Sequence, residues 1–330
     1  MIIQRMTTTI PHPSPSLAHS PSPSSAMTAL NGVAPLSHLG IIKIEGEDAA
    51  KFVHSQLTQD FSLLDLHTAR LAAFCSAKGR MQASFIGFKR SATVILLVCS
   101  KDLLPTTLKR LSMFVMRAKA KLSDATGEFE LFGLLGDATQ IIADNAGLAW
   151  AKADIDASTV VNLYPADGVS RQLLVAPLGA AAPPGPAVSP ELWLWTEVRS
   201  AVATISTPVF EAFVPQMLNY ESVGGVNFKK GCYPGQEIVA RSQFRGTLKR
   251  RAFVVHADTA MAPGDEIFGA DDDSQPVATV VQAAPAPNGG FDAIVSAQLA
   301  AVERGALHHG SPHGAAVHVL PLPYALLDDI

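Results

Sequence analysis

Short apolar runs whose period switches between 2 and 3.6 residues limit how this chain can fold. Residues 40–45 read as a strand, and 48–59 as a helix with Ala49, Phe52, Val53 and Leu57 on one face. Residues 68–75 and 81–88 form two strands across the turn Ser76-Ala77-Lys78-Gly79, a hairpin by spacing and turn chemistry. A third strand follows at 92–99. Residues 101–121 carry Leu104, Leu108, Leu111, Val115 and Ala118 at helical spacing, with Pro105 in the first turn. Strands are expected at 129–135, 160–164 and 172–175, with a helix starting at 139–144. A Pro/Ala linker occupies 181–189; Ser189 then caps, and Pro190 opens, a helix to about residue 205. From Arg251 onward, short apolar runs broken by Gly, Pro and Asp predict a small antiparallel barrel. The fold class is therefore α+β followed by a β-barrel, and no fixed-period repeat is present.

Composition narrows the class further. With 330 residues, 48% hydrophobic and 16% charged, the chain can bury a sizeable core and should divide into two or three domains. No apolar run approaches the ~18 residues that span a bilayer, and the run at 94–99 has the length of a buried strand. Three cysteines, Cys75, Cys99 and Cys232, are too few and too scattered for a disulfide framework. A reducing, cytoplasmic setting without membrane association is the expectation. The net charge of −4 argues against a dedicated nucleic-acid binder. Residues 1–27 are rich in Pro, Ser, Thr and His without apolar periodicity, and read as a disordered low-complexity tail. Met27 opens the globular part and is a candidate start.

The densest chemistry lies between Lys229 and Arg251. Seven of the chain's 25 Lys and Arg residues fall in those 23 positions, opposed only by Glu237. Gly231, Pro234 and Gly235 shape a turn around Cys232 and Tyr233, and Gln236 opens a short helix to Ser242. A thiol beside lysine and ahead of a helix N-terminus is expected to favour its thiolate, below the reference pKa of roughly 8.5. Turn amides and cations together can hold an anionic group such as a carboxylate tail or phosphate. The plainer alternative is a buried cysteine in a tight connection; two adjacent lysines do not suit an apolar niche.

These residues also carry a resemblance. Lys230-Gly231-Cys232-Tyr233, then Gly235-Gln236-Glu237 and Val239-Ala240-Arg241, resemble the signature of the YgfZ family of folate-binding proteins. That family is related to the glycine-cleavage T-protein and implicated in iron–sulfur cluster assembly or repair and, indirectly, tRNA modification. Pro215-Gln216-Met217-Leu218-Asn219, Gly224-Gly225-Val226-Asn227-Phe228, Gln56-Leu57-Thr58-Gln59-Asp60, Lys78-Gly79-Arg80 and Leu322-Pro323-Tyr324 extend the similarity over residues 28–330. The resemblance implies a three-lobed, T-protein-like ring. Two α/β lobes within 28–250 would bind tetrahydrofolate or a derivative in the central hole, and a C-terminal β-barrel would occupy 251–330. It implies that Asn219, Phe228, Lys230, Gly231, Tyr233, Gln236, Glu237, Arg241 and Arg245, with Lys78 and Arg80 from the hairpin tip, surround the folate. Cys232 takes a redox or ligand role. Lys229, Lys230, Arg241 and Arg245 are the candidate carboxylate partners. Trp193, Trp195 and Phe228 are candidates for the ring slot, although both tryptophans read first as helix core.

Departures from the T-protein pattern bear on mechanism. T-proteins carry an acidic pair in the second strand of the hairpin; the corresponding Met81, Gln82 and Ala83 bring no carboxylate. The pterin-binding glutamate of T-proteins has no clear counterpart between 198 and 204, where Ser200, Ala201 and Val202 stand nearest. Loss of acid–base groups removes a contribution of ~10²–10⁴-fold, so aminomethyl transfer is not the first expectation. The leading reading is a folate-binding factor that supports assembly or repair of iron–sulfur enzymes, with those clients or the assembly machinery as partners and tRNA only indirectly. A tetrahydrofolate-dependent transferase is second, and a tRNA-binding module using the basic run is third. Four cysteines normally hold a four-iron cluster; three dispersed ones form no conventional cluster site.

Overall fold

The computed structural model of the chain describes residues 30–145, 148–244, 248–270 and 275–327. The 1–27 tail and Arg245 lie outside them. Three bodies of antiparallel strands make up the described residues. The first is a five-stranded sheet in the order β1 (Gly32–Pro35), β7 (Phe129–Leu135), β10 (Arg171–Pro177), β9 (Ser158–Asn162), β8 (Lys152–Ile155). The second has the order β3 (Ala69–Cys75), β4 (Met81–Ser91), β5 (Val94–Ser100), β2 (Leu39–Glu45), β6 (Lys121–Asp124). The third is a closed barrel of β11 (Arg250–Ala257), β14 (Phe291–Gln298), β13 (Ala278–Pro285), β12 (Glu266–Gly269), β15 (Leu307–His309) and β16 (Ala316–Leu320).

Side-chain alternation explains how the bodies pack. The apolar run of β5 sits between two strands and is covered on both faces. Its Ile95, Leu97 and Cys99 face α1 (Ala49–Gln56) and α2 (Leu104–Ser112), whereas Leu96 and Val98 meet Ala34, Leu135, Leu173 and Val175 of the first sheet. Along β11, Val255 and Ala257 fill the barrel while Ala252 and Val254 turn outward. Those outward residues pack on Leu71, Cys75 and Met81 of the hairpin and on the segment from Val198 to Val226. The first sheet reaches the barrel through α3 (Pro190–Arg199), where Trp195 Nε1 donates to Asp292 Oδ2 of β14 at 2.8 Å. Each body therefore touches the other two, and the three close into a ring.

Two helices end well before expected. The 101–121 helix ends at Ser112, after which successive turns carry the chain to a left-handed residue at Met116 (φ +39°). Lys121–Asp124 is needed as the edge strand beside β2, which helical spacing alone cannot reveal. The 190–205 helix starts as expected, with Leu192 N donating to Ser189 Oγ at 3.2 Å and Pro190 in its first turn. It ends at Arg199, because Ala201 turns left-handed (φ +55°) and Ile205 N donates to Ser84 Oγ at 2.9 Å on β4. The short strands β1 and β8 were not anticipated.

Candidate ligand cavity and cysteine loop

Where β4 and β5, β10, α3 and residues 200–204 converge, they line a partly open cavity of about 60 Å³. Its walls are mostly apolar, with Leu71, Val98, Leu173, Trp150, Tyr164 and Trp193 among them, and a few polar groups converge on it. Glu197 is the central one. Its Oε1 accepts from Trp193 Nε1 at 2.8 Å, one helical turn back, and pairs with His38 Nε2 at 3.2 Å. Its Oε2 accepts from Gln282 Nε2 of the barrel at 2.9 Å. Burial alone would raise the Glu197 carboxyl; His38, Arg171 and the Trp193 N–H outweigh it and hold the group below its ordinary value. Glu197 is thus an ionised carboxylate inside an apolar slot.

Arg171, at the head of β10, supplies the opposite charge. Its Nε donates to Thr196 Oγ1 at 3.0 Å, Nη1 donates to Tyr164 O at 3.2 Å, and the guanidinium lies 4.6 Å from the Trp193 ring centroid. Burial depresses its pKa to about 10, against the pull of Glu197. Its Nη2 makes no hydrogen bond among the described residues. Neither Glu197 nor Arg171 was found from the sequence. Glu197 stands one residue before the 198–204 span, and the i,i+4 pairing of Trp193 with Glu197 on a Pro-opened helix is the signal the sequence offers.

The cysteine loop is a separate place. None of the described candidates from the motif or the hairpin tip lines the cavity. Lys230 is buried and turned inward: its Nζ donates to His54 O and to Leu57 O (2.7 Å), carbonyls at the C-terminal end of α1, and lies 4.6 Å from the Tyr233 ring centroid. Two of its three N–H donors are thus committed to helix carbonyls. Burial pushes the Lys230 ammonium down to about 8, opposed by Asp60 and Cys232. Cys232 is exposed at the surface, whereas Cys75 and Cys99 are buried with thiols pushed up to about 12.

The turn is fixed by contact with the hairpin. Gly235 has φ +80°, and a Cβ there would lie 2.4 Å from Ser76 O and 2.7 Å from Gly79 Cα. Gly79 (φ +69°) in turn faces Ile238 of α4 (Gln236–Phe244). The Lys78 and Arg80 tip therefore abuts the cysteine loop, with Lys78 exposed and Arg80 Nη1 bound to Ala212 O. Gly231 backs onto His54, whose Nδ1 pairs with Asp60 Oδ1 at 3.0 Å.

The other candidates have structural partners. Asn219 is buried; its Nδ2 donates to Ala252 O at 2.9 Å and its Oδ1 accepts from Ala252 N at 3.2 Å, joining it to β11. Phe228 packs edge-on against Phe244 at 5.3 Å, Tyr233 is buried, and Gln236 Nε2 reaches Lys230 O at 3.5 Å. Arg241 pairs with Glu237 at 2.9 Å on the exposed face of α4. Of the basic run, Arg251 is buried against Glu221, and Arg250 bonds Ser296 O and Pro276 O, so the stretch is not one solvated cationic face. Met81-Gln82-Ala83 do receive a carboxylate from outside the hairpin: Glu211 (φ +58°) accepts from Gln82 Nε2.

Comparison with known proteins places this geometry in a context. No protein-family model matches the chain. An uncharacterized protein of Haemophilus influenzae is 28% identical over 225 residues, covering 68% of this chain and 73% of its own. The crystal structure of glycine cleavage system aminomethyltransferase T from Bartonella henselae covers 91% of this chain and 88% of its own, with a TM-score of 0.62 and 16% identity. At that identity the likeness is one of fold: this chain has a T-protein-like architecture. A chain of the heterotetrameric sarcosine oxidase from Corynebacterium sp. U-96 covers 49% of this chain at a TM-score of 0.30 and 13% identity, below the level of shared architecture. No helix among the described residues is long and apolar enough to cross a membrane.

Proposed function

We propose that this chain is a folate-binding factor whose cavity takes tetrahydrofolate or a derivative, and whose surface cysteine serves assembly or repair of iron–sulfur enzymes, tRNA-modifying ones among them. The observation that carries the folate part is an ionised Glu197 and a partly uncommitted Arg171 facing one apolar, aromatic-walled slot. An amino-oxo pteridine presents N–H donors and a carbonyl acceptor on the edge of a flat ring. Glu197 Oε2, with one protein donor, can accept from that edge, and Arg171 Nη2 can donate to it. Trp150 and Tyr164 offer ring surface to an aromatic ligand. The residues present fit the group. When bound, a reduced folate supplies one-carbon chemistry; Glu197 and Arg171 orient it, and the apolar walls exclude water.

On this reading residues 28–250 form the ligand-binding unit and 251–330 the barrel that closes it, with Gln282 supporting Glu197 from the barrel side. The iron–sulfur part rests on the sequence resemblance together with the one exposed thiol among the described residues. Cys232 is free to meet a partner protein or a small thiol. The test has two arms. In calorimetric titration with 5-formyltetrahydrofolate, wild type binds and Glu197→Gln loses about tenfold or more in affinity, while Cys232→Ser binds as wild type does. In cells lacking the protein, Cys232→Ser fails to restore iron–sulfur enzyme activity. No binding by wild type, or equal binding by Glu197→Gln, removes the folate reading; full rescue by Cys232→Ser removes the thiol.

A further inference from the structure

The cavity and the exposed cysteine stand apart, yet one strained residue links them. Trp150 has φ +70°, a left-handed conformation that a bulky side chain adopts only under constraint. Three hydrogen bonds impose it. Its N donates to Asn162 O at 2.8 Å, its O accepts from Ala69 N at 2.8 Å, and its indole Nε1 donates to Val223 O at 3.0 Å. One side of the indole lines the cavity beside Tyr164, at 5.8 Å between ring centroids. The hydrogen bond at its edge leads toward the cysteine.

Val223 begins a segment that is tied, residue by residue, to the end of α1. Gly224 O accepts from Gln59 Nε2 at 2.8 Å, Gly225 O accepts from Thr58 Oγ1 at 2.6 Å, and Asn227 N donates to Thr58 O at 2.9 Å. Leu57 O, one residue earlier, accepts from Lys230 Nζ at 2.7 Å, and Lys230 stands two positions before Cys232. We infer that Trp150 is a positioning residue through which a ligand in the cavity sets the accessibility of the Cys232 thiol. This rests on the reading of the cavity as a folate site. A ring that stacks on the indole and shifts it moves the Val223 carbonyl. The glycines at 224 and 225 pass that shift to Thr58, Gln59 and the Lys230 anchor. Coupling is a claim about free energy between two sites and stands or falls by measurement.

The experiment reads the rate of Cys232 alkylation by iodoacetamide in the full chain, with and without saturating 5-formyltetrahydrofolate. Cys75 and Cys99 are buried, so the fast phase reports Cys232, and Cys232→Ser provides the blank. Ligand is expected to change the wild-type rate by about fivefold or more. Gln59→Ala cuts the Gly224 link without touching the cavity; it should bind ligand by calorimetry as wild type does while its rate response falls below about twofold. Trp150→Phe loses the Val223 bond and, compared at saturating ligand, should show the same loss of response. Bound ligand with an unchanged wild-type rate, or a full response in the variants, overturns the inference alone. Absence of wild-type binding overturns the cavity reading and takes this inference with it.

Discussion

Glu197 and His38 form a pair whose pH dependence follows from opposite shifts. The Glu197 carboxyl lies below its ordinary 4.5, because its partners outweigh burial. Burial pulls His38 down, but Glu197 outweighs that and leaves the imidazole above its ordinary 6.5. The carboxylate contributes stability above about pH 4.5 and loses it as pH falls through the lowered value. The imidazolium contributes below about pH 6.5 and loses it as pH rises through the raised value. Both contributions are complete only between those limits. His38→Asn should therefore flatten the decline in urea midpoint that begins above about pH 6.5, while leaving the acid limb to Glu197. An unchanged alkaline limb would show that the pair does not titrate as a unit. At this scale the sequence disclosed residue types but not their directions. Lys230 read as a cation for a ligand, yet the open end of α1 captures its ammonium. Glu197 passed unnoticed because a lone glutamate on a helix usually faces water, and only the packing of β4, β10 and barrel residue Gln282 turns it inward.

Between elements, the decisive contact joins the hairpin tip to the start of α4. The hairpin was legible because its turn needs a glycine and its strands alternate, and the barrel because breakers recur between short runs. The span of α2 was not legible, since Val115 and Ala118 continue the helical period although the chain has already turned at Met113. Nothing in the sequence shows that Gly235 and Gly79 are glycines on each other's account. Gly235 adopts φ +80° and leaves no room for a methyl group against Ser76 O and Gly79 Cα, both of which are backbone and cannot swing aside. Gly235→Ala should thus cost at least about 2 kcal/mol in chemical denaturation, from strain and forced separation together. It should also speed tryptic cleavage after Lys78, already exposed, as the tip lifts from α4. Retention of wild-type stability would mean that the loop and the hairpin are not locked in this way. Because the same contact seats Cys232, its alkylation rate should rise alongside.

At the scale of the whole molecule, the ring needs the barrel to be held against the two sheets, and β11 does this with its first residues. Arg251 and Glu221 form an ion pair with both side chains almost fully excluded from water, beside the two-way hydrogen bonding of Asn219 with Ala252. Arg251 Nη2 also donates to Leu327 O at 3.3 Å, and Tyr324 OH donates to Ala201 O at 2.8 Å, so the C-terminal segment is fastened at the same seam. The arginine that closes the basic run of the sequence is a bolt between bodies. A buried pair brings little net stability once desolvation is counted, but removing one partner strands the other charge. Arg251→Met should accordingly cost about 3–5 kcal/mol, whereas Arg251→Met combined with Glu221→Leu should recover most of that loss. Equilibrium denaturation of the wild type, the two single variants and the double variant completes the cycle. A double variant no more stable than Arg251→Met would show that the seam depends on the pair itself. Recovery would leave the barrel seated by its apolar face, where Ala252, Val254 and Ile294 meet the hairpin, and would make the ion pair a device for alignment. The cavity would report which holds, because Gln282 reaches Glu197 only while the barrel keeps its place, so 5-formyltetrahydrofolate affinity should track the seam's integrity across the cycle.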